Sequence, residues 1–426
     1  MTMRLSVVGA VSLVALLNVG CGSSAAVQAA NRGDYAALRQ ALAQEMKAGD
    51  IGTGEAHAVA HAVAQREVRE GKGDDGVARV NELRACASAA KGILDDRTDK
   101  HDDPGAASAL ILLDENLARS GRWRSKASDS DPYWRAVGAR TLTDDDEGDE
   151  RRALFIDLST PVRRAAFRAS LEAGDNRDRG LLLEAVRVDP DDEVRATAAR
   201  SVGRLGDQDV VLALKDRWYG SSDLVRASIV RAWGATSSYD HGGRDQLYWV
   251  AESDTGSTSL TAAALLLSRG GDARSVGRGA MLRSLDEGPS AVRIAALSQA
   301  DLGDDAQLAL VVKASESGDG AVKVAALSRL TERKEKRVKA LEELGTLAAG
   351  SGVERNAARS AMAKAHDRRV VSLLVEDTRA TEPGVRAWAA GELAAMHEYP
   401  QAAQVLADDD ASVRTRVACA ILAASH

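Results

Sequence analysis

Three groupings of residues in this sequence have types and spacings that could do chemistry. The first is His57 and His61, four apart in Gly54-Glu-Ala-His-Ala-Val-Ala-His, with Glu55 beside them. Histidines at i and i+4 share one helix face and can hold a metal ion. The metalloprotease form of that pattern needs a glutamate directly after the first histidine, where this chain has Ala58. No third ligand is in view, so the pair reads as two helix-face histidines. The second grouping is Asp144-Asp145-Asp146-Glu147-Gly148-Asp149-Glu150. Calcium favours several carboxylates, but its loop wants acids at positions one, three and five and glycine at six. That spacing fails here, and the stretch reads as a solvated acidic loop. No nucleophile elbow, phosphate loop or dinucleotide fingerprint occurs. A non-catalytic protein without cofactor or metal is therefore the expectation. The third grouping is Arg140, Arg168, Arg200 and Arg231. Their regular spacing makes sense only on a repeating element.

That element is Asp189-Pro190-Asp191-Asp192-Glu193-Val194-Arg195-Ala196-Thr197-Ala198-Ala199-Arg200-Ser201-Val202-Gly203-Arg204-Leu205-Gly206, a turn followed by a helix. With Val194 as position zero, equivalents fall at Trp134, Val162, Val225, Leu260, Val292, Val322, Glu354, Val385 and Val413, at intervals of 28 to 35 residues. The next position is basic in every unit but one, where Thr261 stands. A fixed period of this length marks a solenoid, in which each unit buries its apolar face only against its neighbours. Positions 0, +4, +5 and +8 share a helical face and should form the core. In two successive units these are Val194, Ala198, Ala199, Val202 and Val225, Ile229, Val230, Trp233. Arg179 to Val188 supplies the preceding helix, which Asp189-Pro190 ends, because proline disfavours helical geometry in the residue before it. The basic residues at +1 lie within the packed face and should bond to adjacent units.

The Asp-Pro turn followed by Val194-Arg195-x-x-Ala198-Ala199 resembles the HEAT repeat, in the short form of the phycobilisome-lyase-like group. The resemblance covers residues 128–426 and implies an all-α fold. The expected architecture is an α-solenoid of about ten short HEAT-like helix pairs with a helical N-terminal cap region. It also implies an acid six residues before the basic one. Asp129, Asp157, Asp189, Glu287 and Asp408 obey this and the other units do not, so no unbroken acid–base ladder is expected. HEAT-type arrays mostly serve protein–protein interaction. The same resemblance carries an alternative, a chromophore lyase-like enzyme or a small-molecule-binding HEAT protein. A bilin would want a pocket with several aromatics, and aromatic residues make up only 3% of this chain.

Position +6 lies opposite the packed face and looks into the concave groove. It is Arg140, Arg168, Arg200 and Arg231 in the first four units, flanked by Arg164 and Arg204. Arginine captures carboxylate or phosphate bidentately, so these residues form the candidate basic ridge for a protein partner. Trp388, at +3 toward the other end, is the candidate interface aromatic. The net charge of −7 and the export reading below argue against nucleic acid.

Residues 1–20 read as a targeting segment: Arg4, then a mostly apolar run from Leu5 to Leu17, then Asn18-Val19-Gly20 before Cys21. This resembles a bacterial lipoprotein signal peptide, which implies lipidation of Cys21 and a membrane anchor in the cell envelope, at the outer membrane or periplasmic face. Asn18 departs from the leucine usual there. Residues 21–30 form a tether. Residues 31–127 are a helical N-terminal region of diverged repeats, or a cap, with Asp34 as the N-cap of its first helix. Asp95 to Pro104 reads as a charged loop and Tyr239 to Asp245 as a glycine-rich loop. Cys86 and Cys419 fall near opposite ends of an elongated array, so two buried free thiols are expected. The array runs out at the Val413 helix without a separate cap, which leaves an end open or covered by a partner.

Overall fold

The computed structural model describes residues 24–49, 51–70, 86–253 and 255–424. Cys21 and the leader lie outside them, as does the glycine-rich break after Glu70. The described chain is helical throughout, without strands, and helix pairs stack into an all-α solenoid. None of its helices is long and apolar enough to cross a membrane.

The reference unit folds as its sequence dictates. One helix spans Arg179–Val188 and the next Asp192–Arg204. Between them Asp189 Oδ1 accepts the Asp191 backbone N–H at 2.9 Å, and Asp191 Oδ1 caps the second helix by accepting from Val194 N at 2.9 Å. Val194, Ala198, Ala199 and Val202 are fully buried, as are Val225, Ile229, Val230 and Trp233 one unit on. The Trp233 indole donates to Val211 O and stacks on Trp218, 5.5 Å between centroids. The small residues let second helices meet almost backbone to backbone. A Cβ on Gly203 would lie 2.4 Å from Ala232 Cβ. The second helices form the tighter layer, which therefore lies inside the curve.

The +1 arginines stitch units together. Arg135 donates to Asp129 O and Ser130 O in its own turn and to both carboxylate oxygens of Asp157 in the next. Arg163 repeats this with Asp157 O and Asp189, and Arg386 with Ala380 O and Asp408. Asp157, Asp189 and Asp408 thus each give their carbonyl to their own arginine and their carboxylate to the previous one, while the Asp129 carboxylate pairs with Lys126. In two middle units the bond goes to a carbonyl: Arg226 donates to Trp218 O and Arg293 to Leu285 O.

The expectation of an open or partner-covered end is corrected by the chain itself. The Thr53–Glu70 helix packs alongside the last repeat helix, Ala411–Ala424, and the circuit of packed helices closes. The last ladder arginine, Arg414, donates to Asp408 O and Asp409 O in its own turn like the others. Its carboxylate partner is Glu67, at 2.7 Å, standing where a following repeat would offer its turn acid. Arg414 also lies over the Tyr35 ring at 3.7 Å, and the Tyr35 hydroxyl donates to Glu67. Gln404 donates to Leu42 O and Arg39 pairs with Asp409. One continuous apolar core joins the N-terminal helices to the last repeats.

The same closure overturns the free thiols. Cys86 and Cys419 form a disulfide with their α-carbons 5.0 Å apart. They lie far apart in sequence, but the ring makes them neighbours. Three loop expectations change as well. Asp95 to His101 are the second half of a helix, Ala87–His101. The 239–243 stretch is a wound segment kinked at His241 and Gly242, with Gly242 at φ +103°. The acidic stretch forms helical turns rather than a solvated loop. Glu147 within it is buried against Arg124 and accepts the Asp144 backbone N–H. Asp34 caps its helix as read, accepting from Ala37 N at 3.0 Å.

Candidate functional site

The inner layer presents its +6 residues from successive second helices: Pro132–Arg140, Thr160–Ala173, Asp192–Arg204 and Asp223–Gly234. The arginines there have unequal fates. Arg140 is buried and grips Glu172 of the next unit with both terminal nitrogens. Arg164 holds Asp191 in a two-point bond, at 2.9 and 2.6 Å, and reaches Glu193 at 2.6 Å. Arg204 donates to Leu171 O at 2.6 Å. These three are therefore removed from the expected ridge as free cations, because each already has an acceptor within the fold.

Arg168, Arg200 and Arg231 remain. All three are exposed, and among the described residues none forms a salt bridge. Arg200 donates to the Thr197 hydroxyl at 3.2 Å, and Arg231 makes only a long contact, 3.5 Å, to Ala227 O. Burial, and then the charges of Arg231 and Arg168, hold the Arg200 guanidinium below its ordinary pKa. The three face a common hollow of about 450 Å³, whose wall includes Thr197, Ser228, Leu224 and the Arg164–Glu193 pair. A second hollow, of about 290 Å³, adjoins it through Arg164, Ala165 and Arg168 and is walled by Ile111, Leu112, Val137 and Pro161. The arrangement can bind anionic oxygen beside an apolar group. It contains no nucleophile paired with a base.

Trp388 is half-buried on the same layer. Its indole donates to Ser360 Oγ at 2.9 Å and to Glu392 Oε1 at 3.1 Å, and it edges a shallow hollow of about 380 Å³ with Asn356 and Val385. Trp249 packs edge-on to Trp218, 5.5 Å between centroids, so it belongs to an aromatic cluster with Trp233. His57 and His61 sit on the Thr53–Glu70 helix, and among the described residues no three potential metal ligands come together.

Sequence reasoning missed the hollow's walls. Thr197 and Ser228 occupy +3 and Leu224 occupies −1, so −1, +3 and +6 form a stripe at helical spacing that could have been read across units. Leu112 and Ile111 carry no such signal, because they lie in the off-register N-terminal region.

Residues 151–234 match the family of HEAT repeats, and the helix pairs beyond that span continue the same architecture. No curated protein matches the chain. Among solved structures, the chain is similar to the complex of CpcE and CpcF of phycocyanin lyase from a Nostoc species, at 16% identity and a TM-score of 0.24. That alignment covers 64% of this chain and 85% of that one. An engineered protein aligns at 16% identity and a TM-score of 0.26, over 85% of this chain and 97% of that one.

Proposed function

We propose that this protein is a non-catalytic binding scaffold whose inner face holds a protein partner, without turnover, metal or cofactor. The observation that carries this reading is the set Arg168, Arg200 and Arg231. Arg140 and Arg164 are paired with carboxylates and Arg204 with a carbonyl, while these three share an open hollow and, among the described residues, form no salt bridge; the one carboxylate on its wall, Glu193, is held by Arg164. Buried ladder arginines hold the units rigid, and a rigid groove loses little entropy on binding.

The scaffold works in the cell envelope, anchored through lipid on Cys21. The lipoprotein-like leader supports that address. The Cys86–Cys419 disulfide supports it too, since such bonds persist in oxidising compartments. Nucleic acid is not the partner, given the net charge of −7.

The test is crosslinking capture from the native envelope, comparing wild type with the Arg168→Ser/Arg200→Ser/Arg231→Ser variant. Circular dichroism establishes equal folding of the two. The expected result is a protein enriched by wild type and absent with the variant. Enrichment of no protein by either form overturns the scaffold reading.

A further inference from the structure

The groove is more selective than a patch of positive charge. Its arginines come from three successive units, with Arg200 between Arg168 and Arg231. Second helices in contact lie about 8–10 Å apart, and an extended peptide advances about 3.3 Å per residue. One unit therefore corresponds to about three residues of an extended segment laid across the helices. The apolar hollow opens on the Arg168 side of this row. Leu112 on its wall is 42% exposed, and Leu224 beside the arginines is 47% exposed. Exposed leucines next to unpaired arginines make a surface that water serves poorly and that a mixed ligand covers well.

Resting on the scaffold reading above, we propose that the partner enters as an extended acidic segment: one apolar side chain in the Ile111–Leu112–Val137–Pro161 hollow, then carboxylates at three-residue spacing on Arg168, Arg200 and Arg231. Charge complementarity selects this occupant. The nearby acids Glu172, Asp191 and Glu193 go to Arg140 and Arg164, and among the described residues no salt bridge uses Arg168, Arg200 or Arg231. Thr197 and Ser228 supply hydroxyls beside the guanidinium groups. A lone small anion would use the arginines but leave the apolar hollow and its three-residue offset without purpose.

The experiment measures fluorescence anisotropy of a labelled synthetic peptide on the purified full chain. The peptide carries one leucine followed by three glutamates at three-residue spacing, in a Gly/Ser background. Binding should weaken at least tenfold when the glutamates become glutamines, and at least tenfold with Arg200→Ser. It should weaken several-fold when the peptide leucine becomes serine, and likewise with Leu112→Ser. Arg368→Ser, an exposed change away from the groove, should leave binding unaltered. Equal binding of the glutamine peptide overturns the proposal. So does a peptide whose leucine contributes nothing, or full displacement by inorganic phosphate at a concentration equal to the peptide's, since either result marks a simple anion site. No peptide binding, with an envelope protein still captured through the three arginines, overturns the acidic-segment proposal and leaves the scaffold reading standing. No binding in either assay ends both.

Discussion

Ring closure rests on a rung that the repeats did not supply, and Glu67→Gln tests it. The side chain of Glu67 is 1% exposed and that of Arg414 9%. Glutamine keeps the size and an acceptor oxygen but removes the charge. Arg414 would then be a buried cation without a carboxylate, held by Asp408 O and Asp409 O, at 2.7 and 3.0 Å, and by the Tyr35 ring. Breaking a buried ion pair by neutralising one partner costs about 3–5 kcal/mol, and the surviving carbonyl bonds place this case near 3. An exposed rim pair such as Arg39–Asp409, with side chains 55% and 92% exposed, should be worth below about 1 kcal/mol on the same scale. The assay is native-state hydrogen exchange with the disulfide reduced, so that the seam can open. A loss of 3 kcal/mol raises exchange in the Thr53–Glu70 and Ala411–Ala424 helices by roughly two decades. The Asp192–Arg204 helix, on the far side of the ring, should not change. Asp409→Ser serves as the comparison and should do little. If Glu67→Gln shifts the seam helices by less than tenfold, or speeds exchange uniformly around the ring, the argument that Glu67 completes the ladder is wrong.

Other consequences follow from the same packing. Burial first, and then the hydrogen bond to Glu67, push the Tyr35 hydroxyl up to about 12. A group raised in the folded state stabilises fully below its unfolded value and loses that contribution as pH climbs through its folded value. Seam stability should accordingly fall between about pH 10 and 12 in step with phenolate absorbance, and Tyr35→Phe should flatten that slope. Asp175 shows the opposite sign: burial alone would raise it, but bonds from the Arg177 side chain and backbone, joined by Arg152, bring it down to about 2. Its contribution is complete above the ordinary carboxylate range and disappears as pH falls toward 2, so Asp175→Asn should remove part of the acid sensitivity seen in urea unfolding. Gly203→Ala should destabilise by about 1–3 kcal/mol through overpacking against Ala232, where helix propensity alone predicts a gain of about 1 kcal/mol; a rise in the urea midpoint would refute the close approach.

Local periodicity determined a great deal without any structure. The apolar positions around Val194 and Val225 named their own buried face, because a 3.6-residue period leaves one choice of inside. Asp189-Pro190 placed the end of one helix and Asp191 the start of the next. The basic +1 position announced itself as structural by standing on the packed face. What the sequence could not decide was which acceptor each arginine meets. Arg140 and Arg168 occupy the same register, yet Arg140 pairs with Glu172 of the next unit while Arg168, on the same helix as Glu172, forms no salt bridge among the described residues. Closure is the same problem on a larger scale. Whether a solenoid ends open or meets its own beginning depends on small rotations summed over every unit, and no single repeat encodes that sum. Tertiary structure alone could therefore bring Cys86 to Cys419, and set Glu67, from a helix outside the repeat register, beneath the last arginine of the ladder.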